Sequence, residues 1–131
     1  MEKVISIEVA EKEVNDWVGF KKISSSKVEE NKDSLKSIAT SISEGVLTLD
    51  ADTYEFTHQL KFPVGEVKEL KYKARISMKQ IHTKTRNIKP GDTNGLISAY
   101  IAALTNQNTG LIEELDTEDN RIAQSIAVFF L

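Results

Sequence analysis

The chain has 131 residues, with 17 Lys+Arg against 20 Asp+Glu, two histidines, no cysteine and 40% apolar side chains. This is the length of one domain, and the missing cysteine excludes a disulfide framework, a thiol nucleophile and any cysteine-bearing zinc site. No apolar run approaches the ~18–20 residues of a membrane span and the start lacks a secretory core, so a reducing cytoplasm and no membrane contact are expected.

Ile5, Ile7 and Val9 alternate with polar residues and predict a short strand. Val14, Trp17 and Val18 follow at helical spacing, and Ser24-Ser25-Ser26 marks a break able to cap what comes next. From Lys27 to Ser43, the apolar positions Val28, Leu35, Ile38 and Ile42 predict one amphipathic helix with a narrow stripe. Asn31 is its polar gap, and Gly45 stands where a left-handed C′ residue is expected. A stripe this narrow suits one neighbour, and where exposed it invites a partner.

The period then changes from helical to alternating. Val46–Leu49, then Tyr54, Phe56, His58, Leu60 and Phe62, read as two strands joined by the turn-like Asp50-Ala51-Asp52-Thr53. Pro63-Val64-Gly65-Glu66 is a second turn, after which Leu70, Tyr72, Ala74 and Ile76 alternate with Lys71, Lys73 and Arg75. The expectation is a three-stranded antiparallel meander with one apolar face, which needs helices to cover it. Phe56 and Phe62 are expected in the core.

Ser77 is a predicted N-cap for a short helix carrying Met78 and Ile81, and Pro90-Gly91 lies in a loop. Leu96, Ile97, Tyr100, Ile101 and Leu104 form a helical stripe. Asp116-Thr117-Glu118-Asp119 supplies the start of a last helix with Ile122, Ile126, Phe129 and Phe130 on one face, ending at Leu131. The fold class is therefore α+β, a meander with helices before and after it. Residues 1–45 form an N-terminal strand and helices, and 46–131 the meander and C-terminal helices, within one compact domain.

Charge is segregated along the chain. Residues 61–89 hold nine basic and two acidic side chains, whereas 90–131 hold one base and six acids. The basic middle, notably Lys71, Lys73, Arg75 and Lys79, either lies against the acidic ends or forms a surface for an anionic partner. Sheets that read nucleic acid add exposed aromatics as stacking platforms, and Tyr72 faces away from the lysines, so a nucleic acid is not the expected partner.

Nothing in the chain assembles an active site, and no cofactor is expected. The six glycines are scattered singly and none precedes a Lys-Ser/Thr pair, which excludes a phosphate loop. His58 falls on the apolar face and reads as a packed, hydrogen-bonded histidine, while His82 sits among lysines as a surface residue. The acidic run from Asp116 fails the calcium-loop pattern, since its sixth and twelfth positions are Arg121 and Ala127. Its reading is helix capping, and Asp50 and Asp52 read as a hairpin turn.

One stretch has a family likeness. Leu115-Asp116-Thr117-Glu118-Asp119, the terminal Phe130-Leu131 and the upstream Phe62-Pro63 follow a pattern in which the chain resembles the tail assembly chaperones of long-tailed bacteriophages and prophages. The likeness spans roughly residues 46–131 and leaves the first 45 outside it. The family's usual arginine pair after the meander is here only Arg75 followed by Ile76. The resemblance implies a non-enzymatic protein of the bacterial host's cytoplasm that binds the long, hydrophobic, helical tape-measure protein, or other tail proteins, during tail assembly. Candidate partner surfaces are Val28, Leu35, Ile38 and Ile42 on one side and Ile126, Phe130 and Leu131 on the other; either stripe could equally be core, and self-association is open for the same reason. The alternatives are a structural tail component, such as a tube, connector or terminator, and a nucleic-acid-binding module using the strip 61–89.

Overall fold

Seven α-helices and one three-stranded antiparallel sheet make up the described residues, 4–131, of a computed structural model, with helices before and after the strands. The fold is α+β.

The chain departs from expectation at its start. Helix α1 spans Ile7–Lys21, and Ser6 caps it by accepting the Val9 N–H at 3.2 Å. Capping commits this segment to helix, so the buried face is Ala10, Val14 and Trp17, and Val9 is left exposed. The N–H groups of Val4 and Ile5 do not pair with a strand. Both donate to the Ser43 carbonyl, which satisfies an end of the third helix that would otherwise lack a partner.

The single helix expected over 27–43 is two. α2 is Ser25–Glu30 and α3 is Lys32–Ser43, with Asn31 between them at φ −122° and ψ 33°. The Asn31 side-chain amide donates to the Lys27 carbonyl at 2.9 Å, and such local side-chain bonding competes with helix continuation. α2 buries none of its residues, whereas α3 buries Ile38, Ala39 and Ile42. Gly45 follows α3 at φ +79°, the left-handed position foreseen for it.

The sheet comprises β1 (Leu47–Leu49), β2 (Phe56–Val64) and β3 (Val67–Tyr72), in that order. Asp50 holds the first turn by accepting the N–H groups of Asp52 and Thr53. Tyr54 adopts φ +60°, uncommon for a bulky residue, and is stacked on Phe20 with ring centroids 4.3 Å apart. Register pairs Leu47 with His58, Phe56 with Tyr72 and His58 with Leu70, all on the inner face. Regular pairing of β2 with β3 is interrupted between Gln59 and Val64. There the consecutive N–H groups of Lys61 and Phe62 both turn to the Asp119 carboxylate, at 3.0 Å each. Successive N–H groups of a regular strand point in opposite directions, so this convergence breaks the alternation. Phe62, expected in the core, is consequently 54% exposed.

The C-terminal half comprises α4 (Met78–Thr85), α5 (Thr93–Thr105), α6 (Thr109–Glu113) and α7 (Thr117–Ala127), followed by a 3₁₀ turn, Val128–Phe130. Ser77 and Gln80 form a capping box on α4, and Asp116 caps α7 by accepting the Glu118 N–H at 2.9 Å. Leu96 and Met78, both assigned to apolar stripes by their spacing, lie in first helical turns and are exposed. α7 packs on α3, α5 and β2. One hydrophobic cluster takes residues from both sides of position 45, including Trp17, Ile38, Ile42, Phe56, Ile126 and Phe129. Trp17 is its centre: Phe56 meets the indole edge-on at 5.1 Å and Phe129 at 5.6 Å. Edge-to-face pairs of this kind add ~0.5–1.5 kcal/mol beyond their buried area.

Two outcomes follow, both measured by urea unfolding monitored through Trp17 fluorescence. Phe129→Ala costs ~3–5 kcal/mol because its ring is removed from a packed core, and Phe130→Ala costs less because its ring is only partly buried. Gly45→Ala destabilises by ~1 kcal/mol or more, since a Cβ there would strain the left-handed backbone and meet Val4 Cγ2 at 2.7 Å.

Candidate functional site

Of the seven apolar residues foreseen as partner surface, three are unavailable. Ile38 and Ile126 are fully buried and Ile42 is 4% exposed, so these helix faces are spent on the fold. The spacing of a stripe shows that it is apolar, not what covers it. Val28 lies half-exposed on α2, separated from the rest by the break at Asn31. Phe130 is half-buried, with the Lys21 ammonium 3.5 Å from its ring centroid, and Leu131 is 44% exposed while its carbonyl accepts from Lys27 Nζ.

Leu35 is the exception that leads to a surface. It lines a groove of about 330 Å³ between α1 and α3. Half-buried Ile7 and Leu35 are its apolar lining, over a floor of buried Val14 and Ala39, with Glu11 and Asn15 from α1 and Lys32 and Lys36 from α3. On α1 these residues fall at i, i+4, i+7 and i+8, so one helical face lines its length. An apolar channel between two helices with charged residues of opposite sign from its two walls suits the apolar face of an amphipathic helix. Sequence reasoning missed α1's share, because Ile7 had been placed on a strand.

The second cluster is internal. His58, Tyr72 and Asp119 lie at or below 1% exposure. His58 Nε2 is 3.1 Å from Asp119 Oδ1, and His58 Nδ1 is 2.9 Å from the Tyr72 hydroxyl. The buried hydroxyl hydrogen of Tyr72 needs an acceptor, and Nδ1 is the one beside it. This assigns the neutral tautomer in which Nε2–H donates to Asp119. Burial pushes His58 below the ordinary histidine range, outweighing the attraction of Asp119, and burial raises Tyr72 above the ordinary phenol range. The pair is therefore a hydrogen bond from neutral imidazole to carboxylate, not an ion pair. His58 is the packed, hydrogen-bonded histidine its place on the apolar face predicts. Asp119, read as part of a cap, instead carries the interior network. Helical spacing carries the signal: Ile122, Ala123 and Ile126 stand at i+3, i+4 and i+7 from Asp119, which puts it on the buried face of α7.

The basic strip is not continuous. Lys71 is exposed on the outer sheet face, opposite Thr57 and beside Glu69 and Gln59. Lys73 is half-buried, Arg75 donates to the Phe20 carbonyl at 3.3 Å with its guanidinium 5.5 Å from the Phe20 ring centroid, and Lys79 is exposed on α4. Among the described residues no ion pair joins the segment 61–89 to an acid; the close pairs are Glu29–Lys32, Glu118–Arg121 and the His58–Asp119 contact. The acidic ends therefore do not neutralise the basic middle through close pairs.

No protein-family model, no curated protein and no solved structure matches this chain.

Replacing Asp119 by Ala leaves three donors without their acceptor, and a loss of ~3–5 kcal/mol is expected in chemical unfolding. The pH dependence has a definite sign. The unfolded chain binds a proton at His58 near pH 6.5, and the folded chain resists it until lower pH. Stability therefore falls as pH drops below about 6.5, by up to ~1.4 kcal/mol per pH unit for this group. Urea midpoints from pH 7.5 to 5.5 measure it, and His58→Gln flattens the slope.

Proposed function

We propose that this protein is a non-enzymatic tail assembly chaperone of the kind found in long-tailed bacteriophages and prophages, binding the tape-measure protein in the host cytoplasm while the tail is built. The observation that carries this reading joins two distant parts of the resemblance. Asp119, from Leu115-Asp116-Thr117-Glu118-Asp119, accepts the N–H of Phe62, from Phe62-Pro63, at 3.0 Å. The likeness thus involves residues that form one interlocked structural unit, which a chance match of a capping sequence does not require.

The α1/α3 groove supplies a place for the client. A tape-measure helix presents large apolar residues along one side, and Ile7 and Leu35, the half-buried apolar residues of the groove, offer them a complement. Binding of this kind needs no cofactor and no reacting group. It needs apolar surface, and charge to keep the complex in solution.

The test is affinity capture of the tape-measure protein from cells expressing the neighbouring tail genes. Leu35→Glu puts an acid into the groove and is expected to reduce capture at least tenfold, while circular dichroism still reports a folded chain. A Leu35→Glu variant that folds and captures as well as the parent would reject the groove. A chaperone leaves once its task is done, so the protein is expected to be absent from finished particles by mass spectrometry. Its presence there at stoichiometric amounts would favour a structural tail component instead.

A further inference from the structure

We infer that the free edge of β3 is a self-association surface, at which two copies pair antiparallel about Leu70 and merge their sheets into one. Pairing of this kind requires nothing of the chaperone function. β3 stands at the end of the strand order, so one of its sides has no neighbour in the sheet. The directions of its backbone groups follow from strand alternation. Gln59 donates to the Val46 carbonyl and Asp50 to that of Glu55, so Glu55, Thr57 and Gln59 face β1. Phe56 and His58 therefore face β3, where they meet Tyr72 and Leu70. Glu69 and Lys71 alternate with these and point their N–H and C=O groups out of the sheet.

Both residues are exposed, and among the described residues no backbone hydrogen bond engages their outward groups. Lys73, the next outward residue, is already taken: its N–H donates to the Leu104 carbonyl at 2.9 Å. The opposite edge of the sheet, β1, is only three residues long and lies beside α3. The open stretch is thus Glu69 to Lys71.

This stretch selects its occupant and the register. Lysine on an edge ordinarily discourages pairing, but here an acid on the same outer face offsets it. Centred on Leu70, a two-fold antiparallel pairing sets Glu69 of each copy opposite Lys71 of the other. Each residue then exchanges both backbone hydrogen bonds with its counterpart, which satisfies the outward groups of the stretch. The side chains opposite one another carry opposite charges, a favourable cross-strand pair. Neighbouring registers fail. Centred on Glu69, the pairing opposes two carboxylates; centred on Lys71, it opposes two ammonium groups and needs the Lys73 N–H already given to Leu104. The surviving register is isologous, so association stops at the dimer. Leu70 and Tyr72 keep their places on the covered face.

An interface this short belongs to the weak class, so sedimentation equilibrium of the full chain is read up to ~1 mM, where a dimer is expected. Glu69→Lys and Lys71→Glu each turn the opposite-charge pairs into like-charge pairs and should weaken association about tenfold. The double variant Glu69→Lys/Lys71→Glu restores the opposition and should recover the association of the parent. Both positions are exposed, so circular dichroism should report a folded chain in every case. Amide hydrogen exchange of the parent locates the contact. The N–H groups of Glu69 and Lys71 should gain protection as concentration rises, whereas those of Leu70 and Tyr72, bonded to β2, should not change. A chain that stays monomeric at ~1 mM overturns the assignment. So does a dimer whose Glu69 and Lys71 amides stay unprotected, whose single variants associate as tightly as the parent, or whose double variant fails to recover.

Discussion

One buried carboxylate ties the two halves of this fold together. Asp119 stands in the first turn of α7, yet its oxygens are bonded to β2 through two backbone N–H groups and the His58 ring, and through His58 to Tyr72 on β3. A carboxylate out of water is costly unless its lone pairs are satisfied, and three donors converge on this one. The geometry permits few alternatives: a shifted register of β2, or a rotated α7, would leave the charge without partners. The network therefore fixes how the helix crosses the sheet, while apolar packing around Trp17 supplies most of the driving force.

The same contact accounts for a local irregularity. To offer two successive N–H groups to one acceptor, β2 gives up regular pairing with β3 and turns Phe62 outward. A single exposed aromatic, unlike a contiguous apolar patch, does not by itself mark a binding surface. Its exposure here has an internal cause, the turn of the Lys61 and Phe62 N–H groups to Asp119.

Much of the fold was legible because its signals are local. Gly45 after α3, Asp50 in the hairpin turn, Ser77 before α4 and Asp116 before α7 each act on neighbours within four residues, and all perform the predicted task. The misreadings have local causes too. Ser6 capped a helix where alternation suggested a strand, and Asn31 broke a helix by bonding back to Lys27. What was not legible is non-local. Whether Ile38, Ile42 and Ile126 face a partner or the core depends on which elements come to lie over them, and periodicity carries no information on that. The candidate groove needed α1 and α3 placed side by side, and the Asp119 network joins residues 61 positions apart.

The break at Asn31 has a thermodynamic corollary. A helix whose residues are all at least partly exposed adds little to the apolar area gained on folding, and that area sets the heat-capacity change of unfolding. α2 buries no residue of its own, and Lys27 links it to the carbonyl of Leu131. Its detachment would leave almost no calorimetric trace: the heat-absorption peak would report the cluster around Trp17 and pass over these six residues. Segments with so little buried apolar surface are those that open locally at a lower free energy than the core.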